Sequence, residues 1–260
     1  NASTLGQGID LTNWIVFPST LTSLRFGKTT NTSDVNLTGT GISVAGPVTI
    51  YGGIIGLNTT LTSTGSGATI LLKGTGSVST AANSTVQTNN GNLIFWADSD
   101  NSGDGSVSIG NSNTLNTANG STTQTTGGGK VVMAGGLDDG ANGGTAGDGI
   151  PDGYAKSSAA ANGTNGGVFI GNTNTIRSGG GNIIIKGQGT ASTAPGFENN
   201  GSLLMMDSGI GTIDIAGISS GGHGAEFGWG SGGSDMNTIK SAAPSGTAIR
   251  ITGTTATTNT

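Results

Sequence analysis

Leu93-Ile94-Phe95-Trp96 precedes an acidic, glycine-bearing loop and then Val107-Ser108-Ile109-Gly110-Asn111-Ser112-Asn113-Thr114-Leu115. Val131-Val132-Met133-Ala134 precedes a longer loop of the same character and then Val168-Phe169-Ile170-Gly171-Asn172-Thr173-Asn174-Thr175-Ile176. The shared phrase V-x-I-G-N-[ST]-N-T-[LI] matches at too many positions to be chance composition, and a third apolar block, Ile183-Ile184-Ile185-Lys186, opens the next turn. Leu93 and Val131 are 38 residues apart and Val131 and Ile183 are 52 apart, yet the apolar block and the V-x-I unit keep their sizes while the connections vary. A stacked coil permits this, because its strands must register on their neighbours while its loops hang outside. The expected fold is all-β: a parallel β-helix, or β-solenoid, with loop insertions.

The same beat runs outward in both directions. Val35-Asn36-Leu37, Ile42-Ser43-Val44, Val48-Thr49-Ile50 and Ile54 begin 7, 6 and 6 residues apart. Each apolar-polar-apolar unit sends two side chains inward and one outward. Glycines between the units allow the bends. Three such faces make a coil of roughly 20 residues, the length of one short solenoid repeat. Asn83, Asn89 and Asn90 fall in turns, where asparagine tolerates left-handed geometry and can form ladders on stacked neighbours. Downstream, Leu203-Leu204-Met205-Met206, Ile213-Asp214-Ile215, Ala225-Glu226-Phe227, Ile239 and Ile249-Arg250-Ile251 continue the pattern, with Asp214, Glu226 and Arg250 at outward positions.

The expected organisation is one domain over 1–260, with 1–34 an irregular cap or first coil. Segments 97–106 and 135–167 read as inserted loops, and 254–260 as a frayed tail or a lead into the next repeat. The chain has 260 residues, 52 of them glycine, 9% charged and none cysteine, with a net charge of −5. Disordered chains combine low hydrophobicity with high net charge, which this composition does not. No apolar run reaches the roughly 18 residues of a membrane-spanning helix. The acidic balance argues against a nucleic-acid partner held by a basic patch. Residue 1 is Asn, which reads as a mature or excised piece of something longer.

The segments Leu24-Arg25-Phe26-Gly27-Lys28, Gly46-Pro47-Val48-Thr49-Ile50-Tyr51-Gly52-Gly53, Asn92 to Asp100, Gly147 to Ala155 and Gly222-His223-Gly224-Ala225-Glu226-Phe227-Gly228 carry a resemblance. They resemble phrases of giant bacterial surface proteins of the filamentous haemagglutinin-like type. The resemblance covers most of the chain in style and short phrases. It implies a right-handed β-helix, export by a two-partner or autotransporter route, and an extracellular location at the bacterial cell surface. The implied role is adhesin, stalk or filament. Its partners would be further copies stacked end to end or flanking repeats of a longer chain, and a host or cell-surface glycan or protein receptor.

Calcium is the site hypothesis that the residues suggest. Asp98, Asp100 and Asp104 alternate with small residues in the first loop, and Asp138, Asp139, Asp148 and Asp152 lie in the second, whose D-G-x-P-D phrase resembles calcium-binding repeats. Hard divalent ions want 6–8 oxygens including carboxylates. Neither loop has the EF-hand glutamate or the G-G-x-G-x-D nonapeptide, and the alternative is a solvated acidic loop. No other cofactor is suggested. A rival functional class is a polysaccharide-active β-helix enzyme. It would rest on Asp138-Asp139 and His223, which are 84 residues apart between Asp139 and His223, too far for neighbouring coils, so no catalytic residue is assigned. Of the aromatics, at least one of Phe95 and Trp96 must point inward, and Phe227 and Trp229 serve either the core or a ligand.

Overall fold

A computed structural model describes residues 9–10, 17–18, 20–158, 166–228 and 236–255. The protein is a parallel β-helix with three faces, and all pairings between its described strands are parallel. The first face is an eight-stranded sheet running from Ile9–Asp10 through Val35–Thr38, Ile55–Asn58, Val78–Thr80, Val107–Ile109, Val168–Ile170 and Phe197–Asn199 to Ala225–Phe227. The second has seven strands, from Ile42–Val44 to Thr238–Lys240. The third has nine: eight stacked from Leu24–Phe26 to Ile249–Thr255, and Ala155–Ser157, which joins the side of Ile183–Gly189.

The repeated phrase sets the register. Val107, Ser108 and Ile109 lie against Val168, Phe169 and Ile170, and Thr114 and Leu115 against Thr175 and Ile176. Leu93-Ile94-Phe95-Trp96 lies on Val131-Val132-Met133-Ala134, and Val131 on Ile183. Inward positions form one continuous hydrophobic column from Leu24 to Ile215. Burying each such side chain contributes about 1.5–3 kcal/mol. Stacking makes every coil cover its neighbours' core, which a single coil cannot do.

Polar ladders fasten the corners. Asn172 N donates to Asn111 Oδ1 at 2.9 Å, and Ser202 N to Asn172 Oδ1 at 3.0 Å. The second asparagine of the phrase is buried: Asn113 N donates to Asn174 Oδ1 at 2.8 Å, and Ser84 N to Asn113 Oδ1 at 2.6 Å. Between them Ser112 and Thr173 take the left-handed conformation, with φ of 58° and 61°. At the corner leading into the third face the backbones approach closely. A Cβ on Gly129 would sit 2.1 Å from Gly91 O, and one on Gly181 2.1 Å from Gly129 O, so these places exclude any side chain.

Several expectations need correction. The second loop, 135–167, is not wholly outside the stack: it contributes Ala155–Ser157 to the third face, where the small Ala155 and Ser157 lie beside Gly187 and Gly189. The tail is not frayed from 254: Thr254 and Thr255 pair with Ile218 and Ser219, since β-branched threonine suits a strand without needing a core contact. Residues 256–260 lie outside the described residues. Ile54 is 49% exposed, and the inward pair of its coil is Ile55 and Leu57. Leu203 likewise points outward with φ 62°, and Leu204 and Met206 fill the core. At the start of the chain, Ile9–Asp10 and Leu24–Phe26 already pair with the following coil. The segment therefore belongs to the stack, while Trp14, Ile15 and Val16 lie outside the described residues.

Candidate functional site

The third face carries a feature that a two-in, one-out pattern does not produce. Its central outward row, followed along the stack through the strand register, reads Thr49, Leu71, Ile94, Val132, Ile184, Asp214 and Arg250. The middle of this row is apolar and would be exposed in a bare solenoid. Instead Ile94, Trp96, Val132 and Ala134 are buried in a second cluster outside the sheet, completed by Ile150 from the second loop.

The loop is closed at its neck and folded over that row. Gly135 bridges Gly153, Asp152 N donates to Leu137 O at 2.9 Å, and Trp96 Nε1 donates to Gly136 O at 2.8 Å. Lys73 lies 3.5 Å from the Trp96 ring centroid, a cation–π contact that caps the cluster. Burial lowers the Lys73 ammonium pKa, and nearby Asp138 partly offsets the shift.

The carboxylates proposed as calcium ligands are distributed as loop fasteners. Asp138 accepts from the amides of Gly147 at 2.6 Å, Asp148 at 3.3 Å and Gly149 at 2.8 Å. Asp139 accepts from Ala141 N, Asp148 from Ile150 N, and Asp152 from Gly140 N at 2.6 Å. In the first loop Asp100 accepts from Ser102 N and Asp104 from Ser158 Oγ. Asp98 is fully buried with φ 47°; its Oδ1 accepts from Gly103 N at 2.9 Å, and its Oδ2 pairs with Lys156 Nζ at 3.2 Å. Lys156 also donates to Asn101 Oδ1 at 2.9 Å and exchanges backbone hydrogen bonds with Gly105. The strand ending the second loop thus locks down the first.

Among the described residues no three His, Asp or Glu side chains converge as a metal ion requires. Each of these seven carboxylates instead accepts hydrogen bonds within or between the two loops. The cation holding the second loop is Lys186, whose Nζ donates to Asn142 O at 3.2 Å and Asp152 O at 3.1 Å. Burial lowers its pKa, against the opposing pull of Asp152 and Asp214. Nor does the structure join the elements of the enzyme reading. His223 Nδ1 meets Glu226 Oε2 at 2.8 Å, while Asp138 and Asp139 serve their own loop. Phe227 packs on Phe197 at 5.0 Å between centroids, a core role, and Trp229 lies outside the described residues.

Where the loop stops covering the row, a cleft of about 440 Å³ opens between residues 142–152 and the sheet. Ile184, Lys186, Asp214 and Arg250 form its floor, and Lys130 closes one end. Arg250 grips Asp214 with two nitrogens: Nε reaches Oδ1 at 2.9 Å, and Nη2 meets Oδ2. That bond raises the Arg250 pKa. Neither Lys130 nor Lys186 is singled out by any motif. The available signal is the pair of four-residue apolar blocks, since a run without polar alternation marks a strand covered on both faces.

Compared with protein-family profiles, with curated proteins and with solved structures, the chain returns no match. The fold and the cleft therefore define it as a parallel β-helix with a loop-walled cleft on its third face.

Proposed function

We propose that the protein is an extracellular structural and adhesive element, a rod-like β-helix segment or filament subunit at a bacterial surface. The observation that carries this reading is the in-register stack itself. Its cross-section is maintained while the connections lengthen, so the fold builds reach and leaves the outer loops available for contact.

Among the described residues no helix is long and apolar enough to cross a membrane. The polysaccharide-cleaving alternative gains no support from the geometry, because its candidate residues work in separate contacts. Negative-stain micrographs of the purified chain, with adherence of labelled protein to cells, test the reading. Slender rods that adhere support it, and compact particles without adherence contradict it.

A further inference from the structure

Beyond a general capacity for adhesion, the cleft has a definite chemistry. We propose that it binds a neutral linear oligosaccharide lying along the axis of the stack, an inference that rests on the adhesive reading and names its ligand class.

From Lys130 through Ile184 and Asp214 to Arg250, the floor crosses four consecutive coils of the third face. Three strand spacings make about 14 Å. A volume of about 440 Å³ falls within the roughly 300–1,000 Å³ of small-ligand clefts. The site suits a slender ligand threaded beneath the loop.

Lys130, Lys186 and Arg250 offer donors, while Asp148 and Asp214 offer acceptors beside them. A sugar hydroxyl both donates and accepts, so it satisfies such a mixed lining in a way that a purely acidic or purely apolar ligand cannot. With Asp152 included, three cations face three carboxylates, and no net field draws in a polyanion. An acidic chain would have to pull Arg250 away from Asp214. Ile184 and Ile150 add a small apolar patch for the C–H face of a sugar ring.

An extended peptide commonly adds to an open sheet edge, but of the four floor strands Val131–Gly135, Ile183–Gly189 and Ile213–Ser219 are paired on both sides, and a peptide added to the edge strand Ile249–Thr255 would lie parallel to that strand, across the cleft rather than along it. The groups are also held in advance: Lys186 by two carbonyls and Asp214 by the Arg250 fork. Little ordering remains to be done on binding.

The test is calorimetric titration of the full chain with cellohexaose, chitohexaose, mannohexaose and hexagalacturonate. It is repeated with the double variant Asp214→Ala, Arg250→Ala, which removes both members of an exposed pair and strands no charge. At least one neutral hexasaccharide should bind the unaltered chain more tightly than hexagalacturonate does, and at least about tenfold less tightly to the double variant. Lys130→Ala, at the far end of the cleft, should weaken the same ligand, and replaces the double variant if that fails to fold. The proposal is overturned if no neutral probe binds at millimolar concentration, if hexagalacturonate binds tightest, or if the variants bind equally well. Rods that adhere to cells but bind none of the neutral probes would sink this inference and leave the adhesive reading standing. Compact, non-adherent particles would remove that reading instead.

Discussion

Asn174 has no exposed surface, and both ends of its carboxamide are engaged: Oδ1 accepts from Asn113 N, and Nδ2 donates to Gly171 O at 2.7 Å. Asn174→Ala should cost about 1–3 kcal/mol for each buried group it strands, whereas Asn172→Ala, on the exposed ladder, should cost only about 0.5–1.5 kcal/mol. Urea unfolding midpoints of the two variants make the comparison, and equal losses would contradict it. Asp98 and Lys156 make a sharper case, because the aspartate side chain is wholly buried and the lysine is 20% exposed. Lys156→Met leaves a buried charge without its counterion and should destabilise by about 3–5 kcal/mol, read by the same unfolding curves; a loss below 1 kcal/mol would contradict a buried pair. Tyr154 gives a pH signature. Burial, reinforced by Asp214, raises its phenol pKa above the ordinary 10.0. The folded state then holds the proton after the unfolded chain has released it, so this contribution is whole below pH 10 and is lost as pH rises through the folded value. Tyr154→Phe should remove that loss: its melting temperature should fall less steeply above pH 10 than that of the unaltered chain, and parallel curves would contradict it.

At the scale of the element, the second loop is a clamp rather than an ion-binding hairpin. Its carboxylates already accept backbone amides, and its inward carbonyls already hold the Lys186 ammonium. Melting temperatures in excess calcium and in excess chelator should therefore coincide, and a rise of several degrees with calcium would revive the metal reading. This loop also marks the limit of what could be read beforehand. The triplets Ile42-Ser43-Val44 and Val107-Ser108-Ile109 declare their buried and outward positions, because alternation on a short strand leaves one arrangement only. The paired phrase likewise predicted the stacking of Val107 on Val168 across a 61-residue separation. Ile54 and Leu203 misled because isoleucine and leucine are apolar whether or not a bend turns them outward. The cleft was hidden for a different reason. Lys130, Lys186, Asp214 and Arg250 are isolated in the chain and meet only because coils of unequal length bring them to one face. Nothing local identified Ile150 as the residue that covers the all-apolar blocks of the third face.

Over the whole molecule, cohesion comes from neighbour-on-neighbour contact repeated along an axis, and the corners fix where each coil sits on the one before. That cohesion depends on register across long separations. The chain has no cysteine, so two introduced thiols form an unambiguous probe. Thr114 and Thr175 are outward-facing partners on the second face, 61 residues apart in the chain. Adjacent parallel strands lie about 4.8 Å apart, within the roughly 4.4–6.8 Å between Cα atoms that a disulfide spans. Mild oxidation of Thr114→Cys, Thr175→Cys should close an intramolecular disulfide in the folded protein, detected by peptide mass mapping, while Thr114→Cys, Arg177→Cys should remain largely reduced. Failure of the first pair to close, or equal closure of both pairs, would contradict the stacked-coil register.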